Sequence, residues 1–333
     1  MIIPDNFRSI LIIQLGPYGD VLLNTSYFSA LRKKYPTTKI DFLVSKPYDS
    51  ILYNNPYLSE ILTIPKAKGI MYILQRIKTF IRIACRHYEL VIDQQCGTGT
   101  GQICLFSFAK YRLGFENSKF AWLYNIKAKR GHKRYSASQK FDILIPLGIK
   151  EEPYKLYYYI KPESHIYIQN WMQEMKLEDK KFVCISPGSS VNRKKWKIEY
   201  FAELAVLIQT TFNLPVVILY AANEYEDAKK MYTLMDKKAI LAPPTNFNQG
   251  AAMISHCRLL ICNDGGLVHL SVATETPSLA IYGPTDANNW NPKSIFLNYE
   301  FLANPDAYIP SDNSFGVTVQ QALDKIQQML SGS

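Results

Sequence analysis

Residues 258–283 read RLLICNDGGLVHLSVATETPSLAIYG, and they decide the fold. RLLICND (258–264) is an apolar run of strand length, two glycines break it, LVHLSVA follows with helical character, and PSLAIYG (277–283) returns to a strand. Two β runs joined by a helix of this length make a parallel crossover unit. The same alternation recurs in both directions from it. Strands are expected at 182–187 (FVCISP), 215–221 (PVVILYA) and 239–242 (AILA), with helices near 197–212, 224–236, 247–255 and 266–274. The first half gives strands at 9–15 (SILIIQL), 39–44 (KIDFLV), 60–64 (EILTI) and 89–93 (ELVID), with helices at 20–35, 47–53 and 69–87. A chain of 333 residues exceeds one ordinary core and suits two domains. The expected class is α/β, two Rossmann-like domains with parallel sheets, at 1–160 and 165–315. EEPYKLYYYIKPESH (151–165) reads as the linker between them. Within 316–331, Val317, Val319, Leu323, Ile326 and Leu330 recur at helical spacing, and this last helix is expected to pack back on the first domain.

With 47% hydrophobic and 20% charged residues, a disordered or collagen-like chain is excluded. The chain carries 38 Lys and Arg against 28 Asp and Glu, and the excess is uneven. Residues 1–150 hold 22 basic and 9 acidic side chains, whereas 151–333 hold 16 and 19. The first half is therefore expected to meet an anionic partner. KAKRGHKR (127–134) is its densest cluster, which makes Lys127, Lys129, Arg130, Lys133 and Arg134 candidate contacts for that partner. The cluster lacks interleaved aromatics, so nucleic acid is not the expected ligand. Residues 69–87, GIMYILQRIKTFIRIACRH, place Ile70, Ile73, Leu74, Ile77, Ile81 and Ala84 on one helical face. That face is expected to pack on the sheet, with membrane contact as the alternative. No run reaches 18 apolar residues, and the opening MIIPDNFRSILIIQLG does not read as a secretion signal. Six scattered cysteines without CxxC spacing are expected to be buried, reduced thiols, which places the chain in the cytoplasm.

Four turns are candidates for chemistry. SILIIQL runs into GPYGD, where Asp20 stands at a helix start after a strand, as a general base or merely a helix cap. CGTGTGQ (96–102) has glycines at alternate positions and is expected to be a flexible turn; neither it nor GPYGD has the GxGxxG spacing of a nicotinamide enzyme. SPGSSVNRKKW (186–196) offers the hydroxyls of Ser189 and Ser190 and the ammonium of Lys194 to a diphosphate, or is a solvated basic loop. In NDGGLVHLSVA (263–273), Asp264 ends a strand and Gly265 and Gly266 open a helix N-terminus suited to an anion. His269 lies one turn inside that helix.

Taken in order, LIIQLGPYGDVLLNTSYFSALRKKYPTTKIDFLV, VIDQQ with YRLGF, SPGSSVNRKKW and LLICNDGGLVHLSVATETPSLAIYGPTD resemble glycosyltransferase family 9, the lipopolysaccharide heptosyltransferase family. The resemblance implies the GT-B architecture, with a nucleotide-sugar held mainly by the second domain and the acceptor by the first. By position it implies Asp20 as catalytic base, Ser189, Ser190 and Lys194 at the donor phosphates, and Glu224 at the ribose, with Glu226 competing. It further implies Asp264 at the donor sugar, Gly266 and His269 at the phosphates, and Thr245 near the base. Two residues depart from the family pattern: Gly265 stands where Thr or Ser is usual, and Gly16 replaces a small polar residue. The expected reaction is metal-independent inverting transfer from ADP-heptose to a lipopolysaccharide core acceptor, by a monomer lying peripherally on the inner face of the membrane. Another nucleotide-sugar, a capsule or O-chain acceptor, or a non-catalytic nucleotide- or polyanion-binding role are the alternatives. No cofactor beyond the nucleotide-sugar is expected.

Overall fold

The computed structural model describes residues 3–304 and 312–331. The chain divides between Tyr159 and Ile160 into two compact units, inside the stretch read as a linker. That stretch is partly first-unit core: Tyr154 is buried with its hydroxyl 2.9 Å from Ser138, and the Tyr157 N–H donates to Thr25 at 2.9 Å.

In the first unit the elements run β1 (Ser9–Ile13), α1 (Tyr18–Leu23), α2 (Phe28–Lys34), β2 (Lys39–Ser45), β3 (Glu60–Ile64), α3 (Gly69–Ala84), β4 (Leu90–Asp93), α4 (Thr98–Phe106), β5 (Tyr111–Phe115), β6 (Ile126–Ala128) and α5 (Ser136–Gln139). The strands form one parallel sheet in the order β3-β2-β1-β4-β5-β6. β1 is apolar at every position from Ile10 to Ile13, all fully buried, as a central parallel strand covered on both faces must be. In the second unit follow α6 (Pro162–Glu174), β7 (Val183–Ser186), α7 (Ile198–Phe212), β8 (Val216–Ile218), α8 (Tyr225–Leu234), β9 (Ile240–Leu241), α9 (Phe247–His256), β10 (Leu259–Asn263), α10 (Gly266–Ala273), β11 (Ser278–Tyr282), α11 (Ala287–Trp290), β12 (Tyr299–Ala303) and α12 (Val319–Ser331). Its sheet is also parallel throughout, in the order β12-β11-β10-β7-β8-β9.

The α/β class holds, and the differences from expectation have local causes. Strands β5, β6 and β12 escaped the periodicity because they are short edge or near-edge strands with mixed polarity, such as IKA and YEFLA. The helix expected at 20–35 is broken into α1, a 3₁₀ turn at Asn24–Tyr27 and α2. The buried Asn24, Thr25 and Ser26 explain the break, because Thr25 and Ser26 bond carbonyl groups rather than solvent. The helix at 47–53 is a 3₁₀ turn, Tyr48–Leu52. The last helix, α12, buries Val319, Ala322 and Ile326 in the second unit's own core and packs on α7, which corrects the expectation that it returns to the first. The largest correction concerns α3. It buries Thr79 and Ile83, while Ile70, Ile73, Leu74, Ile77 and Ile81 are 68, 52, 50, 49 and 59% exposed. Four cysteines are buried, Cys96 is half-buried and Cys85 is exposed, and all six are unpaired. No helix among the described residues is long and apolar enough to cross a membrane.

Candidate active site

In an open parallel sheet a ligand binds beyond the carboxyl ends of the strands, where the strand order reverses. The reversals fall between β1 and β4 in the first sheet and between β10 and β7 in the second. The loops that follow these four strands carry the motifs GPYGD, QQCGTGTG, SPGSS and NDGG.

At the first reversal, the chain leaves β1 through Gly16, whose φ of +141° lies in the region that favours glycine. A Cβ there would collide with the Tyr48 ring, which itself meets Tyr18 edge-on at 4.9 Å. The departure at Gly16 is thus explained by the aromatic pair that occupies its side-chain space. Asp20 is the third residue of α1, yet its carboxylate makes no capping bond. It faces Lys140 instead, with Nζ 3.5 Å from Oδ1. Lys140 opens the 3₁₀ helix Lys140–Leu147, and burial pushes its ammonium pKa down, opposed by the Asp20 charge. Asp20 is 31% exposed while Lys140 is 13% exposed, so the carboxylate is open to an incoming group.

The β4 side of the reversal adds two residues that motif reading missed. The Gln95 Oε1 accepts the Leu15 N–H at 2.8 Å and so ties the two loops together. Asp93, fully buried, accepts the Cys96 N–H and the Tyr124 hydroxyl, each at 2.8 Å, and burial pushes its carboxyl up to about 6. The turn 96–102, expected to be flexible, is the start of α4, with Gly97 at its N-cap. A cavity of about 500 Å³ opens beside these loops, lined by Leu15, Ile64, Lys66, Tyr72, Arg76 and Phe80 among others.

The basic cluster at 127–134 is less uniform than its sequence. Arg134 is held by Asp142 at 2.8 Å and Glu151 at 3.1 Å, so its charge is committed within the unit. Arg130 stacks its guanidinium 3.9 Å above the Phe115 ring, and Lys127, Lys129 and Lys133 are exposed.

At the second reversal, the Lys194 Nζ lies 2.6 Å from the Asp264 Oδ2. This pair bridges the loop after β7 to the end of β10 across the switch point. Asn263, also missed by sequence, holds the loop in place: it donates to the carbonyls of Pro187 and Gly188 at 2.8 and 3.1 Å and accepts the Trp196 N–H at 2.8 Å. Ser189 and Ser190 stand in this loop, half-buried and exposed respectively. Gly265 caps α10 in extended backbone, and a Cβ there would meet nothing nearer than 3.9 Å; at Gly266 it would meet nothing within 4 Å. That open space lies at the helix N-terminus, where the first N–H groups lack intrahelical partners. His269 is buried on α10, its ring 6.2 Å from that of Trp290. Glu224 packs its carboxyl against Gly188 of the same loop, and burial raises its pKa, whereas Glu226 is exposed on α8. Thr245 follows β9, just before the Asn246 cap of α9. The structure thus gathers Ser189, Ser190, Lys194, Glu224 and Asp264 around one turn. Among the described residues no group of three or more His, Cys, Asp or Glu side chains is placed to hold a metal ion.

Residues 77–302 match the family model described as glycosyltransferase family 9 (heptosyltransferase). Lipooligosaccharide heptosyltransferase 2 of Haemophilus influenzae is 22% identical, covering 86% of each chain. Lipopolysaccharide heptosyltransferase 2 of Escherichia coli is also 22% identical and covers 96% of this chain and 98% of its own. Among solved structures, a glycosyl transferase family 9 protein of Veillonella parvula superposes with a TM-score of 0.86 at 21% identity, covering 99% of both chains. The E. coli ADP-heptose lps heptosyltransferase II superposes at 0.75 and 17% identity, covering 97% of this chain and 99% of its own, so the fold is that of the GT-B heptosyltransferases. With two parallel sheets, a carboxylate at one switch point and a lysine-bearing turn at the other, the chain is a glycosyltransferase and belongs to family 9, the heptosyltransferase family.

Proposed function

We propose that the chain transfers a heptose from ADP-heptose to an anionic, lipid-anchored lipopolysaccharide core acceptor, with inversion at the anomeric carbon. The observation that carries the reading is the second switch point. There the loop after β7 carries Ser189, Ser190 and Lys194, the lysine reaches Asp264 at the end of β10, and the N-terminus of α10 beside it has open space at Gly266; these are the group types that bind a nucleoside diphosphate. In this reading Glu224, which lies against the same loop, takes the ribose hydroxyls, and Thr245 takes the base. The similar E. coli proteins are an ADP-heptose lps heptosyltransferase and a heptosyltransferase solved with ADP-2-deoxy-2-fluoro heptose, which supports an adenine nucleotide for this chain too.

In the proposed step, Asp20 takes the proton of an acceptor hydroxyl as its oxygen attacks the anomeric carbon. The carbon–oxygen bond to the diphosphate breaks, and its electron pair leaves with ADP. Lys194, Ser189, Ser190 and the N-terminus of α10 stabilise the charge that develops there. Lys140 positions the Asp20 carboxylate. Lys127, Lys129 and Lys133 attract the acceptor's phosphates, and the reaction needs no metal. The acceptor's anchor places the protein on the inner face of the membrane.

Thermal unfolding in ADP, UDP, GDP and NAD tests the reading. ADP is expected to stabilise most, by about 2.7 kcal/mol at a hundredfold excess over its Kd. Absence of a shift with any nucleotide overturns it, and full activity in EDTA is the expected companion result.

A further inference from the structure

The outward face of α3 is unlike the rest of the first unit's surface. An amphipathic surface helix normally turns its apolar stripe to the core. Here Ile70, Ile73, Leu74, Ile77 and Ile81 recur at helical spacing and are each about half exposed or more. The opposite face supplies what little the helix buries, Thr79 and Ile83, and Tyr72, Gln75, Arg76 and Phe80 line the cavity beside the β1 loop. The apolar surface continues onto the end of α4, where Leu105, Phe106 and Phe108 are 39, 42 and 78% exposed and the Phe106 ring lies 4.7 Å from that of Phe80.

Charge identifies what covers this face. From 65 to 88 the chain carries Lys66, Lys68, Arg76, Lys78, Arg82 and Arg86 and no acidic residue. Arg82 and Arg86 pair with Glu60, but Lys66, Lys68 and Lys78 have no carboxylate partner among the described residues. Arg76 stacks over Tyr72 and Phe80 at 5.7 and 5.1 Å, an arrangement in which a cation and aromatic rings share one boundary. A wide aliphatic stripe flanked by unpaired lysines fits a helix lying in the plane of an anionic bilayer surface, its apolar side among the acyl chains and its cations at the headgroups. A protein partner of matching chemistry would have to offer both an apolar groove and an acidic rim. A bilayer of anionic lipid supplies both without further specification.

We propose that α3, with the adjoining end of α4, is the membrane-docking surface of this protein and that its ligand is anionic phospholipid. The inference deepens the proposed function and rests on it for its purpose: docking through α3 keeps the first unit, which carries the cavity and Asp20, at the surface from which a lipid-anchored acceptor is drawn.

The test is co-sedimentation of the full chain with vesicles of phosphatidylcholine alone and with phosphatidylglycerol added. Binding is expected only with the anionic lipid, weakening as salt rises. The Ile73→Glu/Ile77→Glu variant, altered at two exposed positions, is expected to lose vesicle binding at least about tenfold with its unfolding temperature unchanged. Leu297→Glu, 91% exposed on the second unit, is expected to bind as the unaltered chain does. Transfer to a water-soluble, delipidated acceptor should be the same for the double variant and the parent, while transfer to a vesicle-embedded acceptor falls. Failure of the parent to sediment with anionic vesicles overturns the proposal, as does equal binding by the double variant. So does light scattering that shows a dimer of the parent and a monomer of the double variant, since a second copy then covers the face. Vesicle binding without transfer to any acceptor would leave the docking surface standing and overturn the transferase reading alone.

Discussion

Each unit holds a lysine–aspartate pair at the switch point of its sheet, and the two pairs are built in opposite senses. At Asp20–Lys140 the lysine is buried, at 13% exposure, and the carboxylate is accessible at 31%. At Lys194–Asp264 the carboxylate is buried, at 5%, and the lysine is the reachable partner at 25%. The first contact is long, 3.5 Å, and the second short, 2.6 Å. One pair therefore presents an oxygen to solvent and the other an ammonium. A group that takes a proton needs the first arrangement, and a group that grips a diphosphate needs the second. Net charge hides this, because the more acidic half of the chain carries the pair whose lysine is the accessible member.

The largest effect is expected at Asp20. Asp20→Asn is expected to lower kcat by about 10²- to 10⁴-fold while the thermal shift with ADP stays as it was. Near-normal turnover would show that the exposed oxygen is not the base. A smaller effect concerns Asp93, buried like Asp264 but bonded to a backbone N–H and a tyrosine hydroxyl where Asp264 has a lysine. Its carboxyl stays protonated up to about 6, whereas the unfolded chain ionises it near 3.8. Its contribution to stability is thus full below pH 3.8 and is lost as pH rises through about 6, by as much as about 3 kcal/mol. Urea unfolding from pH 3.5 to 7 should show this slope in the parent and not in Asp93→Asn; equal slopes would assign the titration to another group.

Lys194→Met should weaken ADP binding by about 10- to 100-fold in calorimetry. It should also cost about 2 kcal/mol of stability, below the value for a wholly buried pair because the lysine is partly exposed. Adding Asp264→Asn is expected to restore stability and leave ADP binding weak; restored binding would remove Lys194 from the diphosphate site. The two glycine departures give the smallest and most pointed contrast. Gly265→Thr enters extended backbone with its Cβ 3.9 Å from the nearest atom, so stability should change by less than about 0.5 kcal/mol. Its new hydroxyl should tighten ADP a few-fold. Gly16→Ala meets the Tyr48 ring in a backbone region that disfavours a side chain and should cost about 1–3 kcal/mol. Equal unfolding midpoints for the two variants would refute the distinction.

The α/β alternation, the order of the motifs and the residue types at each turn are legible in the chain alone. These follow from neighbours a few positions apart: a buried parallel strand such as Ile10–Ile13 must be apolar throughout, and a turn such as NDGG must break it. Short strands of mixed polarity at or next to a sheet edge carry too little of that signal, which is why β5, β6 and β12 are illegible. Tertiary structure alone decided the partners. Lys140 meets Asp20 across 120 residues, Asn263 pins a loop about 70 residues away, and Arg134, one of five cations in an apparently uniform cluster, is drawn to Asp142 and Glu151. The same limit governs α3: periodicity defines an apolar stripe but not the direction it faces, because direction is set by which side of the helix the sheet and α4 occupy. The residues of α3 define the stripe, and only the packing shows that it faces solvent.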